Sequence, residues 1–263
     1  MRQILVTNDD GVDAPGLPSL ARVAAELGEV TVVVPDRERS WVGKAITRFD
    51  PVHVESVDRD GITIHAVSGY PADAVQLAIH TLELPRPDLV VSGINLGYNH
   101  GAGFLMSSGT VGAAIEAWIA GTPSVALSTG TMGDWHEWRA RAETDQMRPH
   151  WERLAEVSVG LIRDIEKADL YSHADAVSIN LPFEADTATE RRITTIARVG
   201  YDRLFQRQAD GSYRHAYTGS ITEFEAVDGS DIDAAHEGVI SITPLRLPAA
   251  SQVPDEVRAA LER

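Results

Sequence analysis

The sequence predicts an α/β fold: a three-layer sandwich with a mainly parallel sheet, helices on both faces, and a C-terminal antiparallel arm. Three observations carry that expectation. Over residues 1–130, short aliphatic runs alternate with amphipathic helical patterns, as in consecutive β-α-β units. The first run, Ile4-Leu5-Val6, is continuous rather than alternating, as in a strand covered on both faces. The chain has 263 residues and no cysteine. That length buries roughly three-quarters of the unfolded surface without disulfide support.

Taken in order, strands are expected at 3–7, 30–34, 88–92 and 124–128. The first helix, 17–27, places Leu20, Val23, Ala24 and Leu27 on one face and stops at Gly28. The second, 72–82, follows Pro71, which suits a first helical position. The third, 111–120, is closed by Gly121. Residues 51–57 and 61–67 alternate around Asp60-Gly61 and read as a β-hairpin. Beyond Thr129 the pattern weakens. Residues 133–150 are polar and Trp-rich, with Trp135, Trp138 and the adjoining Trp151, and read as an irregular loop or lid before a helix at 152–165. A strand is expected at 176–180. Short alternating runs over 191–226, with a turn at Asp210-Gly211, read as the antiparallel arm. A last strand at 239–242 and a short helix within 253–262 complete the chain. The single domain then has its core at about 1–185 and 236–246 and its arm at about 190–235.

The net charge is −16, and only Lys44 and Lys167 are lysines. Such acidity opposes binding to duplex nucleic acid or anionic membrane. No aliphatic run approaches the ~20 residues that span a bilayer. The N-terminus has no signal-peptide pattern, so a cytoplasmic setting is expected, and the lack of cysteine fits it.

The chemistry gathers after the strands. Asn8-Asp9-Asp10-Gly11 fills the turn after the first strand, on the side where open parallel sheets bind ligands. Adjacent carboxylates repel unless a cation lies between them, so a hard divalent ion is their natural partner. Taken alone, the turn reads better as a solvated acidic turn followed by a helix cap; the rest of the chain shifts the balance. After the second strand comes Pro35-Asp-Arg-Glu-Arg-Ser40, and after the third Gly93-Ile-Asn-Leu-Gly-Tyr-Asn-His-Gly-Ala-Gly103. Right-handed crossovers bring these loops to one sheet edge, where their carboxylate, hydroxyl and amide oxygens suit Mg²⁺ or Mn²⁺. Ser107-Ser-Gly-Thr-Val-Gly-Ala-Ala114 then opens a small-residue helix whose free N–H groups suit a phosphate, with Ser108 and Thr110 hydroxyls as added donors. An ordinary serine cap would read the same way; beside a carboxylate pair, the phosphate site is the better reading. His100 lies in the Asn/Gly-rich loop and is a candidate for substrate or water contact. Walker, dinucleotide, zincin and nucleophile-elbow signatures are absent.

Together these pieces resemble the SurE family, the stationary-phase survival-protein nucleotidases. The matching motifs are Ile4-Leu-Val-Thr-Asn-Asp-Asp-Gly-Val-Asp-Ala-Pro-Gly16, Pro35-Asp-Arg-Glu-Arg-Ser40, Gly69-Tyr-Pro-Ala-Asp-Ala-Val75 and Asp88-Leu-Val-Val-Ser-Gly-Ile-Asn-Leu-Gly-Tyr-Asn-His-Gly101. Ser108-Gly-Thr-Val-Gly-Ala-Ala114, Gly121-Thr-Pro-Ser-Val-Ala-Leu-Ser128, Gly229-Ser-Asp-Ile-Asp-Ala234 and Gly238-Val-Ile-Ser-Ile-Thr-Pro-Leu245 extend the match. The resemblance implies a Rossmann-like domain with an arm exchanged between subunits of a homodimer or homotetramer. It implies a metal-dependent phosphomonoesterase acting on nucleoside 5′- and 3′-monophosphates, with one Mg²⁺ or Mn²⁺ per subunit. By position, Asp9, Asp10, Ser40 and Asn95 would hold the metal, Asp9 and Asp10 would serve catalysis, and Asn99, Ser108, Gly109 and Thr110 would hold the phosphoryl group. Trp41, Tyr70 and Ser107 stand where the family commonly has glycine, threonine and tyrosine. None is at a presumed ligand position, and all three bear on which base or leaving group is accepted. The rival readings are a non-catalytic nucleotide-binding module, a phosphatase for another phosphoester, and a nucleotide-sugar transferase, which would need a second substrate domain.

Overall fold

The computed structural model describes residues 1–201, 203–217, 221–223, 227–247 and 258. The chain opens with β1 (Gln3–Thr7), α1 (Leu17–Ala24), β2 (Glu29–Pro35) and the hairpin β3 (Val54–Arg59) and β4 (Ile62–Val67). Then follow α2 (Pro71–His80), β5 (Leu89–Leu96), α3 (Gly101–Ser107), α4 (Gly109–Ile119) and β6 (Ser124–Gly130). The second half holds α5 (Trp135–Ala142), α6 (Arg148–Lys167), β7 (Ala176–Pro182) and β8 (Arg191–Ile193). It ends with β9 (Val199–Tyr201), β10 (Phe205–Arg207), β11 (Tyr213–His215), β12 (Ile221–Glu223), α7 (Asp231–His236) and β13 (Ile240–Leu245).

Nine strands form the main sheet in the order β3-β4-β2-β1-β5-β6-β7-β13-β8. From β4 to β7 all neighbours are parallel; β3 and β13 enter antiparallel. The side chains of β1 show why the sheet is covered on both faces. Ile4 and Val6 pack with Leu17, Leu20, Trp151, Leu154 and Leu161 from α1 and α6. Leu5 packs on the opposite face with Ala74, Val75, Ala113 and Ala117 from α2 and α4. Successive strand residues point to opposite faces, so a continuous aliphatic run serves two helical layers. The chain runs from β1 outward to β2 on one side, then returns through α2 to β5 on the other. A crevice therefore opens at the carboxyl ends of β1 and β5, the usual ligand position in such sheets.

The structure corrects several boundaries. β5 continues through Gly93, Ile94 and Asn95, which the sequence placed in a loop, with a register shift against β6 between Ser92 and Asn95. Residues 97–100 after it are loop, as expected, and from Gly101 the chain is helix α3. Residues 133–151 are helical rather than irregular: α5, a single 3-10 turn at Asp145–Met147, and the start of α6. A side-chain cap explains α5, since the Asp134 side chain accepts from the Glu137 N–H at 2.8 Å; aspartate at this position is a start signal that the tryptophans obscured. β8 joins the main sheet beside β13, so the antiparallel pairs of the arm are β9 with β12 and β10 with β11. α7 was not expected. The terminal helix expected within 253–262 lies outside the described residues, except for Arg258.

Candidate active site

The crevice is built by three loops locked to one another. The Asn8 side chain closes the turn after β1, accepting from the Gly11 N–H and donating to the Gly11 carbonyl, both at 3.0 Å. Gly11 has φ +86°, and a Cβ there would lie 2.6 Å from the Arg37 carbonyl carbon. Glycine is therefore required both by the backbone conformation and by the close passage of the loop after β2. That loop is tied down by the Arg39 N–H, which donates to the Asp9 carbonyl at 2.7 Å.

Asp9 is only 3% exposed. The Thr110 hydroxyl donates to its Oδ1. Asp10 is half-buried, and its Oδ2 accepts the Leu96 N–H at 3.0 Å, which joins the β1 turn to the end of β5. Burial pushes the Asp9 carboxyl above its ordinary range, against the Thr110 hydrogen bond. Burial first, and then the neighbouring Asp9, push Asp10 well above it. Among the described residues neither carboxylate has an ion-pair partner. Arg139 acts on Asp10 only from a distance, because its guanidinium is paired with Glu38 at 2.8 Å and Glu143 at 2.8 Å.

Asn95 donates its side-chain N–H to the Gly97 carbonyl at 2.7 Å, which leaves its own amide oxygen without a donor among the described residues. The Ser40 hydroxyl is exposed and donates to Glu38 at 2.7 Å, keeping its lone pairs free. Ser108 caps α4, accepting from the Val111 N–H at 3.1 Å. Asn99 is buried, with one side-chain N–H on the Ser128 hydroxyl at 2.8 Å and its backbone N–H on the Asn180 side chain at 2.8 Å.

Asp9, Ser40, Asn95, Asn99 and Ser108 line a single cavity of about 540 Å³, within the ~300–1,000 Å³ usual for small-molecule sites. Thr110 is fully buried with its hydroxyl committed to Asp9. Gly109 packs against the Asp9 Cβ. These two residues buttress Asp9 and do not line the cavity.

A profile of the family described as Survival protein SurE matches residues 4–204. The chain belongs to the SurE family. A 5′-nucleotidase SurE from Geotalea uraniireducens is 38% identical over 248 residues, covering 93% of this chain and 93% of that protein. A 5′-nucleotidase SurE from Methanocella arvoryzae is 34% identical over 250 residues, covering 93% and 92%. The crystal structure of the SurE protein from Aquifex aeolicus superposes with a TM-score of 0.73 at 28% identity, covering 99% of this chain and 98% of that one. Of the SurE motifs read in the sequence, those containing Asp9, Ser40, Asn95 and Ser108 line the crevice, while the motif at 69–75 opens α2 and that at 229–234 opens α7.

Sequence reasoning missed Glu38, Trp135, His136 and Arg139, all of which line the cavity. Glu38 was visible two residues before Ser40. The other three come from α5, which the Asp134 cap would have revealed as a helix.

His100 also lines the cavity. It is 5% exposed, its ring stacks on Tyr98 at 5.1 Å, and its Nδ1 has no hydrogen-bond partner among the described residues. Burial pushes its pKa down to about 4, so the ring is neutral at physiological pH. The unfolded chain takes up this proton near the ordinary histidine value of about 6.5. The folded state therefore loses stability as pH falls from about 6.5 towards 4, by about 2 kcal/mol at pH 5. Urea unfolding of His100→Asn should show a correspondingly smaller loss between pH 7.5 and 5 than the parent. An equal loss in both would mean the buried imidazole does not carry the effect.

Proposed function

We propose that this chain is a divalent-metal-dependent phosphomonoesterase that hydrolyses nucleoside 5′-monophosphates, and 3′-monophosphates, to nucleoside and phosphate. One observation carries the reading. Two adjacent carboxylates, Asp9 buried and Asp10 half-buried, have no basic partner among the described residues, and Asp9 both packs against the start of α4 and lines a cavity of about 540 Å³. A pure binding module has no use for such a pair, which repels a phosphate unless a cation intervenes.

The residues fit a hard cation. Asp9 and Asp10 supply anionic oxygens, and the Ser40 hydroxyl and the free Asn95 amide oxygen supply neutral ones, a set suited to Mg²⁺ or Mn²⁺. When bound, the cation supplies Lewis-acid stabilisation of phosphoryl charge and acidifies water. The chain's own groups do the rest. Ser108 and the second side-chain N–H of Asn99 orient the phosphoryl oxygens, and the positive end of α4 favours their charge. A carboxylate oxygen of the Asp9–Asp10 pair takes the proton of the attacking water. Thr110 holds Asp9, and the Leu96 N–H holds Asp10, so neither must reorganise during the reaction.

For assembly we favour a homodimer or homotetramer built through an arm at about 190–235, on the ground that Phe205 and Tyr213 stand exposed on β10 and β11. Among the described residues no helix is long and apolar enough to cross a membrane. With no cysteine in the chain, a cytoplasmic setting is the one we favour.

The test is phosphate release from a panel of nucleoside monophosphates with Mg²⁺, with Mn²⁺ and with EDTA. Release should require the cation and vanish in EDTA, returning when excess metal is added. Release that persists undiminished in EDTA would remove the metal from the reading. No release from any nucleotide would overturn the nucleotidase.

A further inference from the structure

The loop that carries Ser40 places an aromatic side chain where the backbone favours glycine. Trp41 has φ +62°, in the left-handed region that bulky residues avoid. Such a conformation persists only where the surroundings over-determine it, and such sites cluster at ligand clamps. The surroundings here are other rings. The Trp41 centroid lies 5.1 Å from His215, 5.2 Å from Tyr201, 5.6 Å from Tyr217 and 5.9 Å from Phe104. Four elements meet there: the Ser40 loop, α3, β9, and β11 with the segment that leaves it. Tyr201 is tied in further, its hydroxyl 3.0 Å from the Ser107 hydroxyl.

A ring cluster that served only to pin the β10–β11 hairpin would bury its central member. Trp41 instead remains 39% exposed and lines the same cavity as Asp9 and Asn95, as do Phe104 and Tyr217. The cavity wall therefore has two chemistries. One part is oxygen-rich and suits a phosphoryl group. The other is aromatic, carries no lysine, and suits a flat apolar face. Trp41 is covalently adjacent to Ser40, so the two parts share one loop.

We infer that Trp41, with Phe104 and Tyr217, forms a stacking platform for the planar aromatic base of the substrate, so that the site selects phosphomonoesters of nucleosides over those of aliphatic alcohols. This deepens the phosphomonoesterase reading and rests on it for its kinetic half. Its binding half stands independently, because a nucleoside without phosphate needs neither metal nor turnover.

The experiment uses the full chain, Trp41→Gly and Trp41→Phe. Glycine is at home at φ +62°, so the backbone of the loop is not the thing perturbed. Adenosine binding is measured by equilibrium titration in EDTA, with ribose as the control. Stacking lost from one base weakens adenosine binding about tenfold in Trp41→Gly, and Trp41→Phe stays within about threefold of the parent. Ribose binds none of the three measurably. In turnover, the ratio of kcat/KM for AMP to that for glycerol 2-phosphate falls about tenfold in Trp41→Gly, mainly through KM, and is restored in Trp41→Phe. Equal losses on both esters, or adenosine binding unaltered by Trp41→Gly, would overturn the platform and leave Trp41 as packing for the arm. The two readings fail separately. Trp41-dependent adenosine binding without phosphate release from any ester removes the hydrolase and keeps the platform. AMP hydrolysis by a parent protein that does not bind adenosine removes the platform and keeps the hydrolase.

Discussion

Replacing Asp10 with asparagine lowers turnover of nucleoside monophosphates by about 10³-fold or more, the scale on which losing a group that acts in the transition state registers. The substitution is conservative in shape. An asparagine oxygen can still accept the Leu96 N–H that Asp10 accepts at 3.0 Å, so the join between the β1 turn and β5 survives. What is lost is an anionic oxygen beside Asp9. The same change should leave the metal-free protein at least as stable as the parent. Burial and the adjacent Asp9 hold the Asp10 carboxyl above its ordinary range. A carboxyl whose pKa is higher folded than unfolded binds its proton more tightly in the fold, and above that pKa its ionised form opposes folding. At pH 8 in EDTA, Asp10→Asn should melt no lower than the parent. Near-parental turnover with saturating metal would remove Asp10 from the machinery. A collapse of the melting temperature would show that the carboxylate had been holding the turn.

Gly109→Ala carries the second large effect, and it works through one methyl group. A Cβ at Gly109 would lie 2.8 Å from the Asp9 Cβ, 2.9 Å from Asp9 Oδ2 and 3.0 Å from the Pro71 Cγ. No positive φ is involved, so the backbone accepts alanine and the effect is that of the contact alone. Either the start of α4 retreats from Asp9, breaking the Thr110 hydrogen bond, or the Asp9 carboxylate swings away from Asp10. Displacements approaching 1 Å in a reacting constellation cost on the order of 10²-fold in rate, and overpacking costs about 1–3 kcal/mol in stability. Steady-state kinetics beside a denaturant titration would separate the two. Unchanged kcat in a destabilised protein would mean that the contact between α4 and Asp9 is merely structural.

Much of the architecture could be read from local pattern. The strands at 3–7, 30–34 and 124–128, the hairpin about Asp60-Gly61 and the inward faces of α1, α2 and α4 all depend on which side chains a short segment must hide. The misreadings share a different cause. Gly93-Ile94-Asn95 looks like a loop because glycine and asparagine are poor strand formers; pairing of Asn95 and Leu96 with Ser128 and Thr129 of β6 overrides that preference. Gly101 and Gly103 hid α3 in the same way. Close packing explains them: a Cβ on Gly103 would lie 3.0 Å from the Gly200 Cα of β9. Trp135 and Trp138 made 133–150 look irregular, although Trp138 belongs to the core.

The candidate site divides along the same line. The order of the motifs, the acidic pair in the turn after β1, the serine cap of α4 and the absence of cysteine are properties of the linear chain, and they sufficed to indicate a phosphate-handling family. Which hydroxyl faces the cavity and which one braces Asp9, how Glu38 comes to hold Arg139, and why a tryptophan persists at positive φ were settled by the folded molecule. The partners concerned, Thr110 with Asp9, Leu96 with Asp10 and Arg139 with Glu38, are 101, 86 and 101 residues apart. Patterning reports what a segment must hide from water over a few turns or strand residues. Contacts at such separations depend on sheet order, register and helix docking, which exist only once the whole core has packed.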